Sequence, residues 1–100
     1  MNFHREVLEV EIPVLVEFWA SWCLPCKAMD SLIDRMEKEY DGRIRIGKIN
    51  VDQNPRTAAR YDIRSVPTFI LFKSGRMLER RVAAQSDRQL RNMIDGAFSP

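Results

Sequence analysis

The chain has 100 residues, 45% of them hydrophobic, with 16 Lys and Arg set against 14 Asp and Glu. That is one domain, residues 1–100, large enough to bury roughly 60 to 65% of its unfolded surface without a cofactor or crosslink to hold it together. Charges at Arg5, Glu6, Glu9 and Glu11 leave no room for the apolar core of a secretory signal, and the longest uncharged stretch, residues 18–26, is far shorter than the roughly 20 apolar residues of a membrane span.

An intracellular, cytoplasmic protein is therefore expected. Residues 1–41 carry four basic and nine acidic groups, and residues 42–100 carry twelve and five. The arginines of the basic half are scattered among Asp and Glu rather than gathered on one helix, so the reading is a solvated mixed-charge surface without a nucleic-acid partner.

Taken in chain order, the first element follows Pro13: V-L-V-E-F-W-A is an almost continuous apolar run, rich in Val and aromatics, that suits a central strand covered on both faces. From Leu24 the period changes. Met29, Leu32, Ile33, Met36 and Tyr40 recur at helical spacing, predicting an amphipathic helix that ends near Gly42. Residues 43–50, R-I-R-I-G-K-I-N, alternate as a second strand, and Asn54-Pro55 supplies an N-cap and a first-turn proline for a short helix through about Tyr61. T-F-I-L-F after Pro67 is a third strand, Lys73-Ser74-Gly75-Arg76 a hairpin turn, and M-L-E-R-R-V a fourth strand. Ser86 with Gln89 three positions on forms a capping box, opening a helix whose buried stripe is Leu90, Met93, Ile94 and Ala97. This order implies an α/β sandwich: a mixed sheet, parallel in its first half, between helices.

Cys23 and Cys26 are the only cysteines. Cys23 falls where a strand has ended and a helix begins, so its sulfur faces the free N–H groups and positive end of that helix, which stabilise a thiolate. Cys26, one turn further in and shielded by Pro25 and the sheet, keeps a higher pKa. The spacing gives two roles, in which Cys23 attacks an external disulfide and Cys26 resolves the mixed disulfide that forms. The other uses of such a pair are weaker. Zinc needs about four ligands and the chain offers two Cys and a lone surface His4; an iron–sulfur cluster fails on the same count; a structural crosslink over so short a loop stabilises little. A C-x-x-C pair beside a βαβ pattern points to redox chemistry, with no metal and no bound cofactor.

W-C-L-P-C resembles the W-C-G-P-C active site of thioredoxins. V-E-F-W-A ahead of it, K-I-N-V-D-Q-N-P in the middle, S-V-P-T before the third strand and L-F-K-S-G in the hairpin resemble segments of the same family, in the same order and at similar spacings. The resemblance covers about residues 14–98 and implies a thioredoxin fold, with Cys23 the exposed nucleophile and Cys26 resolving. It further implies that Glu17, where the family usually has Asp, is a buried proton acceptor beneath the second cysteine, and Lys48 is counted with Cys23, Cys26 and Glu17 in the candidate catalytic set. A salt bridge to Lys48 is what Glu17 would make if it had no catalytic part. Pro67 resembles the family's cis-proline, which packs on the cysteine pair and leaves the backbone of Val66 to pair with an extended substrate. Trp22 would cover the nucleophile and offer an apolar contact to targets; Trp19, by alternation, is assigned to the core.

Four features depart from the family. Leu24 replaces the usual Gly beside Pro25 in the pair, adding an apolar side chain on the exposed turn. Ser31 stands where a kinking Pro is common, so a straighter helix is expected. Ala83 replaces a Gly that lines the substrate groove, adding a methyl where a target backbone approaches. Phe3 to about Val10 can supply the family's first helix, but nothing remains for its first strand. The sheet is therefore expected to have four strands, with residues 43–50 on its edge and Arg43, Arg45 and Lys48 discouraging edge pairing.

The function implied is a thiol-disulfide oxidoreductase that reduces protein disulfides and is recharged by a thioredoxin-reductase-type donor, acting as a monomer. Two other readings are an oxidant or isomerase, against which the absence of His from Leu24-Pro25 argues, and a redox-sensitive binding module that docks a partner without turnover.

Overall fold

The computed structural model describes residues 2–98. Four strands form one sheet in the order β2-β1-β3-β4, where β1 is Val14–Trp19, β2 Arg45–Asn50, β3 Thr68–Lys73 and β4 Arg76–Val82. Strand β1 pairs parallel with β2, in a register that sets Glu17 beside Lys48, and antiparallel with β3, where Glu17 faces Phe69. Its central position explains the near-continuous apolar run, since both faces are covered and every residue from Val14 to Phe18 is buried. Strand β2 lies on an edge, as expected of a sheet without the family's first strand.

The sheet has one helix-covered core on each face. On one side, α1 (Leu24–Glu39) and α3 (Asp87–Asp95) bury Met29, Ile33, Met36, Leu90, Met93 and Ile94 against Leu15, Phe69 and Leu71. At roughly 1.5 to 3 kcal/mol for each large side chain, this stripe is a main source of the fold's stability. On the other face, Val14, Val16, Phe18, Ile70 and Phe72 are covered by Phe3, Val7 and Tyr61, the last at the end of α2 (Pro55–Arg60). Helix α1 runs unbroken through Ser31. The capping box of α3 is complete, with Ser86 and Gln89 each bonding the other's backbone N–H. The hairpin turns at Ser74 and Gly75, both at positive φ, and a Cβ on Gly75 would stand 3.0 Å from the Leu8 carbonyl oxygen. Only glycine fits that approach.

Three local expectations are corrected. The segment expected as a helix from Phe3 to Val10 is a single wide helical turn, His4–Leu8, closed by the Glu9 N–H on the His4 carbonyl. Asn54 is not a side-chain cap for α2; its amide donates instead to the Asn50 carbonyl, while the Asn50 side chain accepts from the N–H groups of Asp52 and Gln53. The polar side chains here tie the loop to the end of β2 rather than to the helix. Trp19 is only half-buried and leaves the main core: being the last residue of β1, it packs against Ala20 and the two cysteines.

Candidate functional site

The site forms where β1 ends and α1 begins. After Trp19 the chain turns through Ala20 to Cys23, closed by the Cys23 N–H on the Ala20 carbonyl at 3.2 Å. Cys23 is the N-cap of α1: its backbone is extended, and its Sγ accepts the Cys26 N–H at 3.1 Å, with Pro25 in the first turn. The sulfur thus occupies the seat usually taken by a Ser or Asp oxygen, against unsatisfied N–H groups and the positive end of a 16-residue helix. Cys23 and Cys26 are joined in a disulfide across 5.3 Å of Cα separation.

Both cysteines are buried, Cys23 at 3% exposure and Cys26 at 2%, so the expectation of an exposed Cys23 is corrected. The Cys23 side chain points into a small cluster with Ala20, Trp19, Val51 and Val66, and its neighbours take the solvent instead. Trp22 is 69% exposed and Leu24 74%. Trp22, Leu24 and Pro25 therefore form the exposed surface beside the two buried sulfurs. The Trp22 indole donates to the Asp52 carboxylate at 2.9 Å, which fixes the ring over the loop after β2.

A second loop closes the site. The Val66–Pro67 peptide bond is cis, and the Val66 carbonyl oxygen lies 3.6 Å from Cys23 Sγ. Thr68 Oγ1 donates to the Ser65 carbonyl at 2.8 Å, and the Arg80 guanidinium reaches the carbonyls of Tyr61 and Asp62. Strand β4 thereby holds the segment that presents Pro67. Ala83, just past β4, donates its N–H to the Pro67 carbonyl at 2.9 Å and sits at φ 81°, in the region that favours glycine. A small cavity of about 90 Å³ opens beside the disulfide between Trp22, Val51, Ile63 and Val66. The larger hollow, about 570 Å³, lies at the other end of β2, by Asp41, Gly42 and Arg45, and holds no nucleophile.

Glu17 lies on the α1 face of β1, between Leu15 in the core and Trp19 against the cysteines. It is 1% exposed, and neither carboxylate oxygen has a hydrogen-bond partner among the described residues. Burial pushes its pKa from 4.5 up to about 7, with Lys48 pulling it down and Asp30 pushing it further up. An ionised carboxylate in such surroundings is costly, so the group keeps its proton to a higher pH than a solvated Glu does. Lys48 does not make an ion pair with Glu17; its ammonium is 2.8 Å from Asp30 Oδ1 and 5.5 Å from the Trp19 ring centre. Burial pushes Lys48 down, but the hydrogen bond to Asp30 and the charges of Glu17, Asp30 and Asp34 outweigh it and leave its pKa raised.

The structure brings Cys23, Cys26, Trp22, Leu24, Pro25, Val66, Pro67 and Ala83 to one end of the sheet, with Glu17 and Lys48 one layer beneath. Sequence reasoning missed Trp19, Asp30 and Asp52. Asp30 was findable, because it follows Cys26 by four residues on α1 and so shares its side of the helix. Among the described residues no group of His, Cys, Asp and Glu is arranged to hold a metal ion, and no helix is long and apolar enough to cross a membrane.

The chain matches the family model described as Thioredoxin over residues 1–96. It is 44% identical over 94 residues to the thioredoxin of Rickettsia conorii, covering 94% of this chain and 90% of that protein. Against the thioredoxin of Synechocystis sp. the identity is 39% over 94 residues, covering 94% and 88%. Thioredoxin 1 of Nostoc sp. is 44% identical over 83 residues, covering 83% of this chain and 78% of that protein.

Proposed function

This chain belongs to the thioredoxin family, and we propose that it reduces protein disulfides in a fixed order of attack, Cys23 first. Thiol-disulfide exchange at the Cys23–Cys26 pair is the activity that membership and the paired cysteines support. In the dithiol form, the Cys23 thiolate attacks one sulfur of a substrate disulfide. A mixed disulfide forms and one substrate thiolate leaves. The Cys26 thiol then gives its proton to Glu17 and attacks Cys23 Sγ, so that the second substrate thiol departs and the Cys23–Cys26 disulfide is left behind. Two electrons have passed to the substrate, and a dithiol donor of the thioredoxin-reductase type returns the pair to its starting state.

The observation that carries the order is the position of Cys23 at the N-cap of α1, with the Cys26 N–H on its sulfur. Those contacts favour the thiolate of Cys23, and Cys26 has no such placement. Glu17 suits the acceptor role because a carboxyl titrating near 7 can take a proton at neutral pH and release it again. Lys48 modulates it through charge. For substrate, Trp22, Leu24 and Pro25 form one apolar wall, Val66 and Pro67 offer backbone to an extended segment, and the methyl of Ala83 narrows the far side. The proposal extends to a monomer at work in the cytoplasm, with no bound cofactor.

The test is trapping. A Cys26→Ser variant incubated with a disulfide-bearing protein is expected to accumulate a mixed disulfide through Cys23, whereas Cys23→Ser is expected to accumulate none. A trapped adduct through Cys26 in the second variant would reverse the order. If both cysteines can be replaced by Ser and a partner still binds unchanged, the chain is a docking module rather than a turnover catalyst.

A further inference from the structure

Glu17 and Lys48 are cross-strand partners in a parallel pair, so their side chains leave the same face of the sheet. Opposite charges so placed ordinarily meet. Here they do not, because Lys48 Nζ is hydrogen-bonded to Asp30 Oδ1 at 2.8 Å while both Glu17 oxygens remain unpartnered. Asp30 stands one helical turn beyond Cys26 on α1, and its side chain is about half exposed, as is the nature of a group that can be lost without collapsing a core.

We propose that Asp30 is a positioning residue: by holding the Lys48 ammonium on the helix side, it keeps the buried carboxylate of Glu17 unpaired and so controls when that carboxylate can take the Cys26 proton. The inference rests on Glu17 being the acceptor, as assigned above. The charges that face Glu17 are few. Lys48 comes from β2 and Asp30 from α1, with Asp34 of α1 acting on Lys48; β3 contributes Phe69, and the neighbours of Glu17 on its own face of β1 are Leu15 and Trp19. An exposed Asp–Lys pair is weak enough to exchange partners. When Asp30 lacks its charge, Lys48 is free to turn to Glu17, and the acceptor becomes an ion pair that ionises at lower pH and holds its proton less tightly.

The experiment follows Glu17 itself by carboxyl carbon NMR of glutamate-labelled protein, with the signal assigned by its loss in Glu17→Gln. The oxidised form is used, so that no cysteine titrates beside it. Asp30→Asn is expected to lower the Glu17 midpoint by about one unit, and Asp30→Glu to restore it. In a Lys48→Met background the same Asp30→Asn change is expected to move the midpoint by less than half as much. An unmoved midpoint in Asp30→Asn overturns the proposal. So does an equal shift in both backgrounds, since Asp30 would then act by its own charge and not by holding Lys48.

A second readout separates this idea from the role of Glu17. Resolution of a preformed mixed disulfide, followed against pH in a single turnover, is expected to have an acid limb that moves with the Glu17 midpoint, raising the rate at pH 6 by about fivefold for a one-unit shift. A midpoint that moves while the limb stays put leaves Asp30 as the residue that positions Lys48 and removes Glu17 as the acceptor.

Discussion

The two faces of β1 are made from one strand of six residues and do opposite things. Val14, Val16 and Phe18 pack without a polar atom into the cluster with Ile70, Phe72 and Val7. Leu15, Glu17 and Trp19, on the other face, pass from pure core, through an orphaned carboxylate, to a half-buried ring against the disulfide. Over a few residues the second face changes from a surface that stabilises the fold to one that carries chemistry. The difference teaches where the cost of function sits in this molecule. On the proposed role of Glu17, it sits in one buried acid two residues before the ring that packs on the cysteines, with Val14, Val16 and Phe18 keeping the opposite face of the strand apolar.

The comparison can be broken most completely at its reactive end. Replacing Cys23 by Ser is expected to reduce the rate of protein-disulfide reduction to the uncatalysed background, measured as thiols released, while costing the reduced protein only about 1 to 2 kcal/mol in urea unfolding, because a hydroxyl replaces a buried thiol. On the apolar face, Phe18→Ala removes a fully buried ring and is expected to cost about 3 to 5 kcal/mol in urea unfolding. A loss below about 1 kcal/mol would mean that this face does not carry the stability assigned to it.

Glu17→Gln sharpens the contrast, because it should act in the opposite direction. Glu17 has its pKa raised from 4.5 to about 7 in the folded protein, so between those limits the folded state binds more protons than the unfolded one. Stability therefore falls as pH rises through that window and levels off above it. The variant loses this slope. It is expected to match its parent near pH 4 and to exceed it by up to roughly 3 kcal/mol at pH 8, with slower resolution of mixed disulfides as the accompanying loss. A difference that does not depend on pH would remove the buried ionisation from the account. The smallest effect is expected at Ala83, whose φ of 81° is unfavourable for any residue with a Cβ. Ala83→Gly is expected to raise stability by about 0.5 to 1 kcal/mol, after the added freedom of glycine in the unfolded chain is allowed for.

Much of this was legible in the sequence because it is written in periodicity and in residues with one dominant use. The apolar run of β1, the helical stripe Met29, Ile33 and Met36, and the Ser86–Gln89 capping box all follow from spacing alone. Cys23 and Cys26 stood out because no other thiols compete with them. What was not legible depends on choices among partners of similar chemistry. Lys48 could bond Glu17 or Asp30, and the sequence pattern offered only Glu17, its strand neighbour; the structure has Asp30. Asn54 could cap a helix or tie back to β2, and it does the second. Trp19 obeys the alternation of its strand, but alternation does not reveal that the strand's last residue has run past the core and reached the cysteines. The shielding of Cys23 was hidden for a related reason, since part of it comes from Val51 and from Val66, the latter 43 residues away.

The central claim is that the Cys23–Cys26 pair works as a reductant, and the most direct measurement of it is the reduction potential of that couple, equilibrated in thiol redox buffers and followed by tryptophan fluorescence. The account predicts a value near roughly −270 mV, where a dithiol passes electrons to the exposed or strained disulfides whose potentials lie above it. A value above roughly −200 mV would contradict it and make the chain an oxidant or isomerase of thiols.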